Sequence, residues 1–493
     1  MTDSIGTAYE AAEARYKTSN PRSGAAHRAA TASLPGGNTR SVLHWSPYPL
    51  CIASASGYRL RDADGHDYVD LLGEYSAGIY GHSHPVLLSA VTEALAGGIG
   101  YGGPHVAERR LAELIRERFE SVRLVRFTNS GTEANLLAIA AAKRFTGRWN
   151  GKVVVFEGAY HGGVLVFPFG CGDVWNKKDE EGGGEGEGRK KYEGLRALNV
   201  PHDFVVARYN DVDSVDAALA SSSSSSSDGG GIAAILLEPM LGSGGGICAT
   251  DEFLRHLRRR ADETGALLIL DEVMTSRSYS GGGIQSEMKG VGVGVRPDLT
   301  TLGKYMGGGM SFGAFGGRED VMGVFDPRDA AALPHAGTFN NNVLTMNAGI
   351  AGLERVFTTD KARALHVLGD EVRERINKLG DDDDGNDMNG DAKQKQKKKK
   401  KKKLRVMGCG SILVFHFTAK RPEEILSPAD WKGDEDPRLL DLFHLEMLSE
   451  GFYLARRGYA ALSLLFLEED GRREIERFVG AVEGFLERFG SLL

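Results

Sequence analysis

The sequence predicts an α/β protein, a mostly parallel sheet covered by helices, followed by a smaller α+β region. Three observations carry this. From Val125 onward, short apolar runs alternate with helix-length amphipathic stretches. Runs such as AAILL and ALLIL lack the polar alternation of a half-solvated strand, so both faces are buried, as in a parallel sheet. Glycine supplies 66 of the 493 residues, nearly twice the usual ~7%. Much of it sits where backbone N–H groups can approach an anion at strand ends and helix starts.

The elements follow in order. Residues 8–32, rich in Ala, Glu and Arg, predict one helix, then a loop (LPGGNTRSV) and a strand near Tyr48–Ile52. Tyr58–Leu60 and Tyr68–Leu71 flank DADGHD, whose Asp64-Gly65 predicts a tight hairpin. Residues 85–96 and 105–119 read as amphipathic helices. The predicted sheet strands are Leu124–Thr128, Val153–Phe156, Phe204–Ala207, Ala233–Leu237, Leu267–Leu270 and Leu299–Leu302, with helices at 132–146, 211–220 and 251–264. A long helix is predicted over 343–378, then strands near 405–417, a helix near 437–450, a short strand at Tyr453–Ala455 and a helix near 469–489. The expected domains are 76–345 as the large one and 346–493 as the small one, with 1–75 packing on the latter. Three biased stretches, Asn176–Lys191, Ser221–Gly231 and Gly380–Lys403, read as surface loops. The last, acidic then poly-lysine, reads as a disordered insert between helix and strand, with a localisation or anionic-surface tag as the alternative.

Composition excludes several classes. Hydrophobic residues are 41% and charged residues 26%, ordinary for a globular protein, and the net charge of −7 argues against nucleic acid as main partner. Cys51, Cys171, Cys248 and Cys409 form no C-x-x-C pair, which fits a reducing compartment and no metal site. No apolar run approaches the ~18–20 residues of a membrane span. The first residues lack the apolar core of a secretory signal, so the expected location is cytoplasmic.

Four segments carry chemistry. In FTNSGTEANLLAIAAAKRFTG, a strand ends at Thr128 and Ser130-Gly131-Thr132 opens a helix. That N-terminus can hold a phosphate, or Ser130 or Thr132 can simply cap the helix. In ALLILDEVMTSR, Asp271 ends a buried strand, where α/β sheets place their sites. It can pair with a protonated ring nitrogen of a cofactor, or Asp271 or Glu272 can merely turn the chain. In RPDLTTLGKYMGGGMSFGAFGG, Lys304 follows a strand and precedes a glycine-rich loop. A lysine so placed can have a lowered pKa and form a Schiff base. It is not a Walker A lysine, because Tyr305 stands where Ser or Thr belongs. In HAGTFNNNVLTMNAG, Thr338 is a further phosphate-ligand candidate.

In this order on an α/β chain, the four segments resemble the class III aminotransferases, pyridoxal-phosphate enzymes of fold type I. The resemblance runs from about residue 20 to 490, apart from the three inserts. NTRSVLHWSPYPLCI, EYSAGIYGHSHP, FTNSGTEAN, DEVMTSR, LTTLGKYMGGGMSFGAFGGR and GTFNNN resemble the glutamate-1-semialdehyde aminomutase branch, and within it the β-amino-acid (β-phenylalanine-type) aminotransferases. The resemblance implies a large domain with a mostly parallel seven-stranded sheet and a homodimer. It implies Lys304 as the Schiff-base lysine and proton shuttle, and Asp271 as partner of the pyridine nitrogen. Ser130, Gly131 and Thr132 would bind the phosphate of pyridoxal 5'-phosphate (PLP), with Thr338 reaching in from the partner subunit. Tyr160 would stack on the ring, Val273 would pack on its other face, and Glu238 would lie near the cofactor. His161 is left open. Arg40 matches the position expected to hold a β-amino acid's carboxylate, and Arg457 one that takes the α-carboxylate of the keto acid. The family pattern at the second arginine is closer to Pro-Arg-Gly, whereas this chain has Arg456-Arg457-Gly458. The implied reaction is transfer of an amino group from a β-amino acid to a keto acid such as 2-oxoglutarate or pyruvate. The alternative is intramolecular amino transfer of the glutamate-1-semialdehyde aminomutase type.

Gly98, Gly100 and Gly103 spell G-x-G-x-x-G but follow a helix rather than a strand, which argues against a dinucleotide site. His82, His84 and His105 show no metal-ligand spacing, and the first two are expected to be loop residues near the active-site entrance.

Overall fold

A seven-stranded sheet organises the larger of two compact units in the computed structural model, which describes residues 4–171, 202–220, 230–287, 295–381, 403–433 and 435–493. Asn176–Lys191, and nearly all of Ser221–Gly231 and Gly380–Lys403, lie outside the described residues, so the loop readings made there have no structural counterpart. The larger unit comprises Pro85–His366 with Ile425–Asp430. The other comprises Met1–His84, Val367–Glu424 and Trp431–Leu493.

The strands of the large sheet are β1 (Leu124–Thr128), β2 (Lys152–Phe156), β3 (Phe204–Ala207), β4 (Ile232–Leu237), β5 (Leu267–Asp271), β6 (Leu299–Gly303) and β7 (Gly313–Gly317), in the order β1-β7-β6-β5-β4-β2-β3. All pairings are parallel except those of β7, which is antiparallel to both β1 and β6. Every residue of β4 and β5 is buried, as their unbroken apolar runs require. Six strands fall where the sequence puts them. The seventh, β7, completes the seven strands that the resemblance implies and follows the glycine-rich loop after Lys304, where the sequence predicts no strand. Its glycines are there because the neighbours come too close for side chains. A Cβ on Gly313 would overlap the Ser130 carbonyl, and one on Gly317 the Asp298 carbonyl.

Helix α1 (Gly131–Thr146) begins at the Ser130 cap and stops at Gly147, which is left-handed at φ 67°. Its sheet-facing side is small (Ala134, Ala138, Ala141, Ala142), so the helix sits close to the strands. Helix α2 (Asp251–Thr264) is capped by Thr250 and ended by left-handed Gly265.

Two helix predictions need correction. The segment 8–32 forms two helices, Ser4–Ser19 and Pro21–Ala30, because Pro21 brings no N–H to continue the first. The stretch 343–378 is Val343–Ala351, a π turn Gly352–Val356 and then Thr359–Asp381. At the break, Arg118 Nη2 donates to the carbonyls of Leu353 (2.7 Å) and Phe357 (2.5 Å).

The second unit holds two small sheets. Lys403–Cys409, Ile412–Thr418 and Tyr459–Ala461 pair antiparallel. Ile52–Ser56, Arg59–Asp62 and Asp67–Asp70 form a meander with the expected turn at Gly65, and Phe452–Tyr453 adds in parallel. The strand expected at Tyr48–Ile52 starts only at Ile52, since Pro47 and Pro49 supply no ladder donors. Phe415 and Phe443 pack against Phe478 and Phe485 of the helix Glu469–Phe489 to form the core of this unit. No helix among the described residues is long and apolar enough to cross a membrane.

Candidate active site

The C-terminal ends of β1, β5 and β6 bring three chain segments together. After β1, Ser130 adopts extended backbone (φ −157°) and its Oγ accepts the Glu133 N–H at 3.2 Å. Glu133 in turn accepts the Asn129 N–H at 2.9 Å. The capping reading of Ser130 is therefore realised. It is compatible with anion binding, because the first N–H groups of a helix have no intrahelical acceptor. A Cβ on Gly131 would lie 2.8 Å from Val273 Cγ2, and one on Gly303 would lie 3.2 Å from Val273 Cγ1 and 3.6 Å from the Gly131 nitrogen. A side chain at either glycine would press on Val273, where the helix start and the end of β6 converge. Thr132 Oγ1 accepts the Gly163 N–H at 3.1 Å, which ties the cup to the loop after Tyr160.

Asp271 closes β5 and is buried, with Thr301 of β6 in register beside it. Its Oδ1 accepts the Val273 N–H at 3.0 Å. Its Oδ2 meets Asn135 Nδ2 and His161 Nδ1, each at 2.8 Å. Asn135 also donates to the His161 carbonyl at 2.9 Å and accepts from the Thr301 hydroxyl at 2.7 Å. One carboxylate oxygen thus makes the turn bond to Val273, and the other is aimed from behind by a hydrogen-bonded chain. Sequence reading missed Asn135 and left His161 open. A signal existed for Asn135: with Ala138, Ile139 and Ala142 it lies on the buried stripe of α1, the single polar residue there.

Lys304 follows β6 directly and is half-buried in left-handed backbone at φ 59°. For a side chain larger than glycine this conformation costs about 1–2 kcal/mol, so the surroundings must hold it.

Glu238 is buried beyond the end of β4 and accepts the N–H groups of Tyr160 (2.8 Å) and Gly242 (3.1 Å). Burial pushes its carboxyl up to about 7, and the nearby Asp271 adds to this, against the opposing pull of His161 and the two N–H donors. Tyr160, whose backbone it fixes, is 43% exposed and so is not a core aromatic. Thr338 is exposed. Its loop is tied down by Asn340, which accepts from Asn129 Nδ2 at 2.9 Å, next to Ser130.

In the other unit, the guanidiniums of Arg40 and Arg457 lie 5.1 and 5.5 Å from the centroid of one ring, that of Tyr75. Arg456 pairs with Asp441 through two nitrogens, which separates the roles of the two neighbouring arginines. His82 is held against Asp70 at 2.8 Å, a structural pair rather than an open loop residue. In the larger unit His105 caps the helix Val106–Arg118, and the Gly98–Gly103 stretch joins two helices with no strand before it.

A helix start lined by hydroxyls and glycine, a buried carboxylate at a strand end and a lysine just past the adjacent strand suit a phosphorylated pyridine aldehyde. A model of the class-III aminotransferase family matches residues 42–390. The chain belongs to the class-III aminotransferases. A β-phenylalanine transaminase of Variovorax paradoxus is 42% identical over 481 residues, 97% of this chain and 96% of its own. The crystal structure of a β-phenylalanine aminotransferase from that organism matches with TM-score 0.83 at 41% identity, over 99% of each chain. A glutamate-1-semialdehyde 2,1-aminomutase of Sorangium cellulosum is 36% identical over 463 residues, 92% of this chain and 94% of its own. A solved transaminase with PLP bound matches at 29% identity and TM-score 0.73, over 95% of this chain and 98% of that one. The aminotransferase is therefore a fold-type-I enzyme, and its cofactor is PLP.

Proposed function

We propose that this aminotransferase moves the amino group of a β-amino acid of the β-phenylalanine type to a 2-keto acid such as 2-oxoglutarate or pyruvate. The observation that carries the proposal is the convergence of Gly131, Val273 and Gly303 beside the held carboxylate of Asp271, with Lys304 directly after the next strand. The likeness over nearly the whole chain to a β-phenylalanine transaminase supports the choice of donor.

Bound PLP draws electrons from the carbon that bears the amine and carries the amino group between two substrates. Asp271 keeps a proton on the pyridine nitrogen, and Asn135 and His161 aim it. Ser130, Gly131 and Thr132 bind the phosphate, with Thr338 contributing from the partner subunit of a homodimer. Tyr160 and Val273 would hold the ring, and Glu238 sets the Tyr160 backbone. Lys304 Nζ would take the proton from the amine-bearing carbon of the substrate and hold it during the amino transfer. Arg40 grips the carboxylate of the β-amino acid, and Arg457 that of the keto acid. The homodimer reading is supported by apolar side chains left exposed on and after the helix Pro85–Gly97, among them Leu88, Leu95, Ile99 and Tyr101. We place the enzyme in the cytoplasm.

The test separates the arginines. Losing one charge-assisted contact costs about 1.5–3 kcal/mol, or roughly 10- to 150-fold. Arg40→Ala should lower kcat/KM for β-phenylalanine by that factor and spare 1-phenylethylamine, which has no carboxylate. Arg457→Ala should impair the keto-acid half-reaction instead. Equal losses for both amines with Arg40→Ala would make Arg40 structural and remove the physical support for a β-amino acid.

A further inference from the structure

We infer that Tyr75 is a positioning residue for both substrate-carboxylate arginines, its ring a shared platform that fixes Arg40 and Arg457 with respect to each other. The inference rests on the proposed function, which gives those arginines their carboxylates. Residues 40, 75 and 457 come from three distant parts of the sequence, yet both guanidiniums lie within 5.5 Å of one ring centroid. Arg457 also lies 5.7 Å from the ring of Tyr459, which stacks on Tyr75 at 5.8 Å and 19°. Two cations drawn to one place repel each other. The electron-rich face of an aromatic ring offsets that repulsion and orients the planar guanidinium.

The backbone under Tyr75 is unusual and firmly held. Gly73, Glu74, Tyr75 and Ser76 all lie in the left-handed region, at φ 53°, 48°, 54° and 77°. Three of these residues carry side chains, an arrangement that persists only where the surroundings determine it. They do so here. Asp70 Oδ1 accepts the N–H groups of Leu72 (2.9 Å) and Gly73 (3.0 Å), while Oδ2 is clasped by His82. Gly73 packs so tightly that a Cβ would overlap the Ala461 carbonyl, and the Ala461 N–H donates to Leu71 at 2.7 Å. The turn that aims Tyr75 is therefore fastened to the strand that carries Tyr459, two residues after Arg457.

The ring, not the hydroxyl, is the working part. Burial pushes the Tyr75 phenol up, against the pull of Arg457 and Arg40. Its hydroxyl reaches the Val42 carbonyl only at 3.5 Å. Donor and acceptor recognition consequently share one support, and damage to it should weaken both half-reactions together.

The experiment compares Tyr75→Phe, Tyr75→Leu and pentafluorophenylalanine at position 75, all as PLP-loaded enzyme. The last keeps the shape of the ring and reverses the sign of its face, so it tests the platform even if the leucine variant does not fold. KM and kcat are measured for β-phenylalanine, for 2-oxoglutarate and for 1-phenylethylamine. The leucine and pentafluoro variants should raise KM for both carboxylate substrates roughly three- to thirtyfold, with kcat and the 1-phenylethylamine values little changed, and Tyr75→Phe should restore both KM values. The inference is overturned if the pentafluoro variant matches Tyr75→Phe, if only one carboxylate substrate is affected, or if 1-phenylethylamine suffers equally. Wild-type enzyme inactive with β-phenylalanine would defeat the proposed function first and this inference with it. Active wild type with the first pattern absent defeats the inference alone.

Discussion

Replacing Asn135 by leucine should loosen Asp271 without touching it. Leucine has the same branched heavy-atom skeleton as asparagine and suits the apolar buried stripe of α1, so the shape of the side chain is largely kept although its methyl groups are bulkier. Three hydrogen bonds vanish: the donations to Asp271 Oδ2 and to the His161 carbonyl, and the acceptance from Thr301. Two are neutral, at about 1 kcal/mol each, and the one to the carboxylate is worth about 2 kcal/mol, so the variant should lose roughly 4 kcal/mol of stability. Thr301 is fully buried and cannot turn to water for relief. The assay is urea unfolding of the PLP-loaded enzyme, read alongside cofactor retained after dialysis. The variant should unfold at lower urea and release its cofactor faster than wild type. Unchanged unfolding with unchanged retention would mean that Val273 and His161 alone hold the acid, and the hydrogen-bonded chain behind it would have no function.

Other outcomes follow from the same geometry. Glu238 is raised in the folded enzyme, so its contribution to stability is present below the ordinary carboxyl range and is lost as pH rises through about 7. The span corresponds to roughly 3 kcal/mol. Glu238→Gln should flatten the fall in stability between about pH 4.5 and 7, and an unaltered pH profile in urea titrations would refute this. Lys304→Ala and Lys304→Gly should both abolish transamination, yet the glycine variant should be the more stable by about 1 kcal/mol, because only glycine adopts φ 59° without cost. Equal stabilities would show that the backbone relaxes once the side chain is removed.

Much of the site was legible because its residues lie at sequence positions with local meaning. Asp271 and Lys304 end apolar β-branched or leucine-rich runs, and Ser130 opens a helix. The strand β7 was not legible, since glycine is a poor strand former and its reason for being there is the Ser130 and Asp298 backbone on either side. The break at Pro21 is legible, since Asn-Pro before a helical run is a start signal inside the span 8–32. Asn135 showed itself only as a polar residue on an apolar stripe, which needs the helix register to be seen. Tyr75 could not be found from sequence at all. Its importance lies in where residues 40, 457 and 459 meet it, and no local pattern records that.

The central claim is a two-substrate amino transfer through one site, and a single-turnover measurement tests it most directly. Purified PLP-loaded enzyme is mixed with β-phenylalanine alone and the 3-oxo acid product is counted against active sites. The account predicts one product per active site and then arrest, with turnover resuming when 2-oxoglutarate is added and glutamate appearing in step with further product. Sustained turnover of a single amino substrate, such as glutamate-1-semialdehyde, with no keto acid present and no response to β-phenylalanine, would contradict it and establish an intramolecular aminomutase instead.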